Sequence, residues 1–592
     1  MPPIRLLLAA CLILPSVCLL TAVSAAAAEW RNVLLICVDD LKPLLGCYGD
    51  PLARSPNLDR LAARGVTFER AYCNQAVCSP SRNSLMTGLR PQTLGIYDLP
   101  THFRNAAPDA VTLGQHFKAQ GYRAEGLGKI YHVGHGNRDD ADTWSVPAWR
   151  PKGGGYALPQ STEGARDSKQ GPRGAAYESA DVPDSRYGDG MIADEAILRL
   201  RAAKQNDQQP FFLAVGFLKP HLPFVAPKKY WDLHDPAAFK LASPQTPPVG
   251  APSYAPQSGG ELRGYKDIPT SGQLPDELQR TLIHGYYAAT SYMDAQAGRV
   301  LDELDRLGLA ENTIVVLWGD HGWHLGDHGI WCKHTNYEQA ARIPLIVAAP
   351  GLAADTHSSS LVETVDLYPT LAELAGLPLP KELDGRSFAA VIRDPAAAHR
   401  DHAIHVYPRN APERGSVLGR AVRTERYRLV EWKRPGDAAD NADLELYDYQ
   451  LDPLETKNLA AEQPETVAKL LALLAQHPEA IPQLKLAANP ATEPNAKPAA
   501  KANAKPAAKA NAKGASKTNA KPASKANAGK RPPQDRSAMF DRRDQNQDGK
   551  LTRDEFMEGQ PDPEAAPARF LRFDVDQDGM LSRDEFVKPA PK

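Results

Sequence analysis

A cysteine followed by Pro-Ser-Arg, in Cys78-Ser79-Pro80-Ser81-Arg82, is the strongest chemical signal in the chain, and Thr87-Gly88 follows a few residues later. Pro80 suits the first turn of a helix and Gly88 its end. Cys78 is therefore expected beside unpaired backbone N–H groups and the positive end of the helix dipole, where an anion binds well. A core cysteine needs no Pro-Ser-Arg after it. Two acidic pieces form the second signal: Asp39-Asp40 after the apolar run Val33–Val38, and Asp320-His321-Gly322 after Thr313–Trp318. In open α/β sheets ligands collect at the carboxyl ends of strands, so three carboxylates and an imidazole can converge there. Such an oxygen-rich set suits a hard divalent cation such as Ca²⁺. Gly128-Lys129-Ile130-Tyr131-His132, Lys219-Pro220-His221 and Trp331-Cys332-Lys333 add lysines and histidines that can hold an anion and move protons.

The elements that must position these groups are legible in outline. Val33–Val38, Phe211–Val215, Thr313–Trp318 and Pro344–Ala348 are apolar runs of the kind a sheet covered on both faces requires. Ser55-Pro56 opens a short helix that Gly65 closes, and Asp276–Leu307 has a long helical pattern. The alternation predicts an α/β domain with a large sheet covered by helices. Short strand-like segments within 417–432 and 444–447, then a helix over 465–475, predict a smaller α+β subdomain. With 592 residues the chain has room for more than one domain, and 69 basic against 71 acidic residues argue against a nucleic-acid binder.

Both ends read differently from the middle. Residues 1–28 have the form of a secretory signal: a short basic start, an apolar stretch and a small-residue cleavage region. Pro15 and the missing stop-transfer flank argue against a permanent membrane span. A lipoprotein box at Leu8–Cys11 has almost no apolar segment ahead of it. Bacterial export to the periplasm or the medium is expected, and no Asn-x-Ser/Thr sequon offers a glycan site. Once Cys11 and Cys18 leave with the signal, Cys37, Cys47, Cys73 and Cys332 are too few for a dense disulfide framework. Residues 495–526 are four copies of an eight-residue Ala/Lys/Asn unit with almost nothing to bury, which predicts an extended, disordered linker across 486–535.

Beyond it, residues 536–592 carry two EF-hand patterns and predict a small helical module. The first places Asp544, Asn546 and Asp548 at positions one, three and five, Lys550 at seven and Glu555 at twelve. The second repeats this with Asp574, Asp576, Asp578, Met580 and Glu585. Each also has the glycine of the sharp turn and an apolar eighth residue, so two Ca²⁺ sites are expected. Pro561, Pro563 and Pro567 between them favour a structural or tethering pair, with a possible tethering partner, over a switch.

The Cys78 run resembles the signature of type I sulfatases, in which a dedicated maturing enzyme converts the cysteine to formylglycine. The aldehyde hydrate then attacks the sulfur of a sulfate ester, and the aldehyde returns when the C–O bond to sulfate breaks. Residues of about 30 to 480 look like a sulfatase of the iduronate-2-sulfatase type, through VDDLKPLLGCYGD, QAVCSPSR, GKIYH, FFLAVGFLKPHLPF and GDHGWHLGDHGIWCKHTN. The resemblance implies an alkaline-phosphatase-like fold, with a catalytic domain over 29–410 and a smaller subdomain over 411–485. It implies Ca²⁺ held by Asp39, Asp40, Asp320, His321 and the modified Cys78. It further implies that Arg82, Lys129 and Lys333 steady the hydrate and sulfate, that His132 is the base and that His221 is the acid for the departing alcohol. A sulfated saccharide is the implied substrate, with a 2-O-sulfated iduronate or another uronate as the candidate sugar. Little is recognisable over 133–209 and 353–417, where loops around the substrate are expected. Two rivals stand beside this reading: a phosphomonoester or phosphonate hydrolase on the same scaffold, and a calcium-dependent binding protein with an idle site. The set Lys129, His132, His221 and Lys333 weighs against the second, since an idle site has no need of it.

Overall fold

Every residue of Asn32–Val38 is buried, as a continuous apolar run between two helical layers demands. The computed structural model describes residues 32–168, 171–257, 260–438, 441–485, 536–544, 549–557, 569–570, 573–574 and 579–587. The predicted signal over 1–28, the predicted linker over 486–535, and Asn546, Asp548, Asp576 and Asp578 lie outside the described residues.

Seven principal strands build the large sheet: β1 (Asn32–Val38), β2 (Val66–Tyr72), β3 (Arg123–Gly128), β4 (Phe211–Phe217), β5 (Thr313–Gly319), β6 (Leu345–Ala348) and β7 (Thr356–Glu363). Their order is β7-β2-β6-β5-β1-β4-β3, and the short strand Arg342–Ile343 pairs with β2 as the eighth. β1 pairs in parallel with β4 and β5, β3 with β4, and β7 with β2. β6 runs antiparallel to both β2 and β5, so β2 points the same way as β1. The carboxyl ends of β1 to β5 consequently meet at one edge.

Period-two alternation feeds two cores. Val33, Leu35 and Cys37 enter the cluster that holds Leu85 and Met86 of α1 (Cys78–Thr87). Leu34, Ile36 and Val38 enter the opposite cluster, with Ile192, Ala193 and Ala196 of α2 (Gly188–Gln205) and Met293, Val300 and Leu304 of α3 (Asp276–Arg306). The predicted long helix thus forms almost as read, as the back support of β1.

A four-stranded antiparallel meander follows: β8 (His402–Ala411), β9 (Gly415–Thr424), β10 (Tyr427–Lys433) and β11 (Asp443–Asp448). Val467, Leu470 and Leu474 of α4 (Pro464–Leu474) pack on its Ile404, Val422, Leu429 and Leu446. The meander opens at His402, ahead of the boundary expected at 411, because β8 pairs with β9 along its whole length, from His402 opposite Thr424 to Ala411 opposite Gly415. No helix among the described residues is long and apolar enough to cross a membrane. Cys37, Cys47, Cys73, Cys78 and Cys332 are free thiols.

Two glycines, Gly128 and Gly216, stand opposite each other where β3 and β4 reach the site edge. Gly128 has a φ of 68°, and Lys129 N–H donates to the Gly216 carbonyl at 2.9 Å. A Cβ on Gly216 would lie 2.3 Å from the Lys129 carbonyl oxygen, a backbone atom that cannot swing aside. Gly216→Ala is therefore expected to cost about 2 kcal/mol or more, as forced overpacking does. Urea unfolding checks this; a wild-type midpoint would contradict it.

Candidate active site

The predicted active-site residues gather at the shared carboxyl edge, after strands, in loops or in the first turns of α1. Asp39 and Asp40 follow β1, Lys129 follows β3, and Asp320 and His321 follow β5, while His221 lies four residues beyond β4. Cys78 opens α1 after the β2 connection, and Lys333 comes from the loop after β5. Asp40 has a φ of 62°, strained for a non-glycine residue, and is pinned from both sides. Its N–H donates to Asp320 Oδ1 at 2.9 Å, and its carbonyl accepts from the Tyr286 hydroxyl at 2.7 Å.

Arg82, with no exposed surface, joins these segments. Its Nε donates to Asp320 Oδ2 at 2.9 Å and its Nη2 to Asp39 Oδ1 at 3.2 Å. Its Nη1 bonds the Lys129 carbonyl and, at 3.2 Å, that of Ile130. Burial disfavours its charge, but Asp320 and Asp39 more than restore it. Ser81 Oγ donates to the Asp320 carbonyl at 2.5 Å, and Ser79 Oγ accepts from Asn137 Nδ2 at 3.0 Å. The predicted helix start is observed: Cys78 is the first residue of α1 and Gly88 closes it with a φ of 70°.

Cys78 is 3% exposed, with Sγ 3.4 Å from His321 Nε2 and 3.6 Å from Lys129 Nζ. Burial, then the Asp39 charge, raise its thiol well above the ordinary range, against the opposing pull of Lys129 and Lys333. A thiolate nucleophile is disfavoured in such a place.

Carboxylate charge is crowded here. Burial raises Asp39, but Lys129, His221, Arg82 and Lys333 together hold it well below the usual range. Asp40 is instead pushed up to about 7 by burial, reinforced by Asp39 and Asp320, although Lys333 opposes the shift. One ligand atom from each of Asp39, Cys78, Asp320 and His321 lies within 4.8 Å of the others, and the same holds for Asp39, Asp40, Cys78 and His221. Buried oxygens that repel one another at this spacing fit a divalent cation, whose charge would let Asp40 ionise.

Lys129 pairs with Asp39, and Lys333 Nζ bridges Asp40, at 3.0 and 3.1 Å, to Glu261 at 3.1 Å. His221 donates through Nδ1 to the Leu222 carbonyl, 2.6 Å away, which leaves Nε2 facing Glu261 at 3.5 Å and Asp40 at 3.9 Å. Since a carbonyl only accepts, Nδ1 carries the proton in this arrangement. Burial, then Lys333, lower His221 to about 4. His132 is lowered to about 3 by burial and then Lys129, and its Nε2 meets His135 Nδ1 at 3.0 Å. Lys219 plays another part: its Nζ donates to the His221 and Pro223 carbonyls at 2.5 and 2.7 Å, shaping the turn that presents His221. Glu261 and Asn137 were not foreseen. Each lies in a polar, glycine-rich stretch with no motif around it, so no sequence signal marked it.

In the terminal module, Lys550–Leu551 pairs with Leu581–Ser582, so that the apolar eighth residues of the two loops, Leu551 and Leu581, stand opposite each other. Phe540, Leu551, Phe556, Phe570, Leu581 and Phe586 form its core. Asp544 and Asp574 each accept from the loop glycine, Gly549 at 3.0 Å and Gly579 at 3.1 Å. Glu555 caps Thr552 and Glu585 caps Ser582 through backbone and hydroxyl donors at 2.7–2.9 Å. Asp574 also lies 3.5 Å from Arg201 of α2.

Comparison with known proteins bears on this geometry directly. The sulfatase family model matches residues 31–377, the model for the C-terminal part of N-sulphoglucosamine sulphohydrolase matches 326–479, and the EF-hand model matches 537–559 and 568–588. Iduronate 2-sulfatase of Mus musculus is 34% identical over 532 residues, covering 77% of this chain and 96% of that protein. A sulfatase of Formosa agariphila is 33% identical over 72% of this chain and 83% of its own length. Among solved structures, a 2-O GAG sulfatase superposes with a TM-score of 0.56 at 24% identity, covering 76% of this chain and 92% of that one. The phosphonate monoester hydrolase of Agrobacterium radiobacter gives 0.60 at 21% identity, covering 76% and 96%, so the alkaline-phosphatase-like fold alone does not choose between sulfur and phosphorus. The two sequence relatives do: with a family model over most of the catalytic body and iduronate 2-sulfatase aligned along nearly its whole length, this chain belongs to the sulfatase family.

Proposed function

We propose that the enzyme removes sulfate from a sulfated saccharide, with a 2-O-sulfated iduronate or another uronate as the sugar, through residue 78 in its formylglycine form. The observation that carries the reading is the alignment with iduronate 2-sulfatase across 96% of that protein, together with Cys78 seated among Lys129, His221 and three carboxylates. A formylglycine-generating or other sulfatase-maturing enzyme would read Cys78-Ser79-Pro80-Ser81-Arg82. The export segment would deliver the product to the periplasm or the medium. The hydrate of the aldehyde supplies the oxygen nucleophile that a protonated, buried thiol does not.

The chain's own side chains supply the rest. Asp39, Asp40, Asp320, His321 and residue 78 would hold Ca²⁺. Arg82, Lys129 and Lys333 would steady the hydrate on residue 78 and the sulfate. His221 hands a proton to the departing alcohol through Nε2, which requires that nitrogen to be protonated when the anionic ester is bound. His132, kept neutral by burial and Lys129, takes the proton that restores the aldehyde. The two EF-hand loops would bind Ca²⁺ and serve as an accessory tether.

Two outcomes are expected. Screened against defined sulfated disaccharides, the enzyme releases sulfate fastest from those with a 2-O-sulfated uronate; release only from sulfated hexosamines would overturn the sugar assignment. A chelator abolishes turnover and Ca²⁺ restores it, equally in a Glu555→Gln/Glu585→Gln double variant. The Ca²⁺ needed for half-restoration rises as pH falls through about 7, because a proton then competes for Asp40. Loss of restoration in the double variant would place the requirement in the tail.

A further inference from the structure

Glu261 sets a fourth carboxylate beside the place assigned to sulfate, just ahead of the short turn Leu262–Gly264. Its Oε2 lies 3.1 Å from Lys333 Nζ, and its Oε1 lies 3.5 Å from His221 Nε2 and 3.7 Å from Arg173 Nη1. Its side chain is 17% exposed. Burial opposes the charge, but Lys333, then His221 and Arg173, hold the carboxyl well below its usual range. Lys333 is shared between Glu261 and Asp40, which meets it at 3.0 and 3.1 Å, so Glu261 reduces the positive charge left for an anion beyond the pairing that Asp40 already supplies. A carboxylate that borders an anion site and weakens its grip on anions calls for an explanation.

The substrate's charge provides one. A sulfate monoester carries one negative charge, whereas inorganic sulfate carries two and a phosphate monoester nearly two above its second pKa of about 6. The cations of the site favour the dianion over the monoanion, and a fixed negative charge works against that preference. A bound Ca²⁺ acts alike whether or not Glu261 is charged, so the contribution of Glu261 stands apart from it. We propose that Glu261 is a specificity-determining residue that tips the pocket toward singly charged esters, excludes phosphate monoesters and helps expel the sulfate product. The inference rests on the pocket being the sulfate site of the proposed function.

The test uses the full-length enzyme, the neutral variants Glu261→Gln and Glu261→Ala, and the charge-preserving Glu261→Asp. Three probes separate charge from shape: an aryl sulfate and an aryl phenylphosphonate, both singly charged, and a doubly charged aryl phosphate. In both neutral variants kcat/KM for phosphate relative to sulfate is expected to rise about tenfold, while the phosphonate-to-sulfate ratio stays level. Inorganic sulfate, followed by calorimetry, binds about tenfold more tightly, and Glu261→Asp keeps the wild-type ratios. Unchanged sulfate binding in the neutral variants overturns the proposal. So does a parallel rise for phosphate and phosphonate, or loss of discrimination in Glu261→Asp. Absent sulfate release by the wild type from every sulfated probe, aryl and saccharide alike, would instead overturn the proposed function, and the calorimetric comparison would still judge Glu261.

Discussion

A single buried guanidinium holds the site together. Arg82 projects from the helix that begins with Cys78 and bonds to Asp39 at the end of β1, Asp320 at the end of β5 and two carbonyls after β3. Four segments distant in sequence are thereby fixed relative to one another by one side chain. Buried ion pairs add little net stability, but removing one partner leaves an uncompensated charge that costs about 3–5 kcal/mol. Arg82 thus serves geometry more than stability: it fixes where the carboxylates stand relative to residue 78. The Trp318 ring, with its centroid 5.9 Å from the guanidinium carbon, closes the apolar side of this arrangement.

From that constraint follows the charge pattern of the pocket. Arg82 and Lys129 stand against Asp39, and Lys333 stands against Asp40, so each carboxylate of the pair after β1 has its own cation. The pairing is incomplete, as the upward shift of Asp40 to about 7 shows. A divalent cation would complete it. The same burial that raises Asp40 also keeps Cys78 a thiol and lowers His132 and His221, so one property, exclusion of water, prepares several groups at once.

Much of this was readable from residue order, for identifiable reasons. β1 and β5 are uninterrupted apolar runs ending in acidic residues, and burial on both faces leaves no polar position to obscure them. β2 and β3 escaped notice: Glu69 and Arg70 interrupt the first, and Arg123, Glu125 and two glycines dilute the second. Their places in the sheet come from pairing with distant strands. Cys78 and its helix were legible because Pro80 and Gly88 punctuate the helix locally. Lys219, grouped with the candidate cations by its neighbour His221, turned out to serve the backbone of that turn. Glu261 was invisible because its meaning depends on Lys333, His221 and Arg173, each from a different part of the chain.

The claim on which the chemistry depends is that residue 78 works as an aldehyde and not as a thiol. Mass spectrometry of the peptide containing Cys78, on preparations whose specific activity has been determined, tests it most directly. The expected result is a sulfhydryl replaced by an aldehyde or its hydrate, in a fraction that rises in proportion to activity. Fully active enzyme with an intact Cys78 thiol would contradict it.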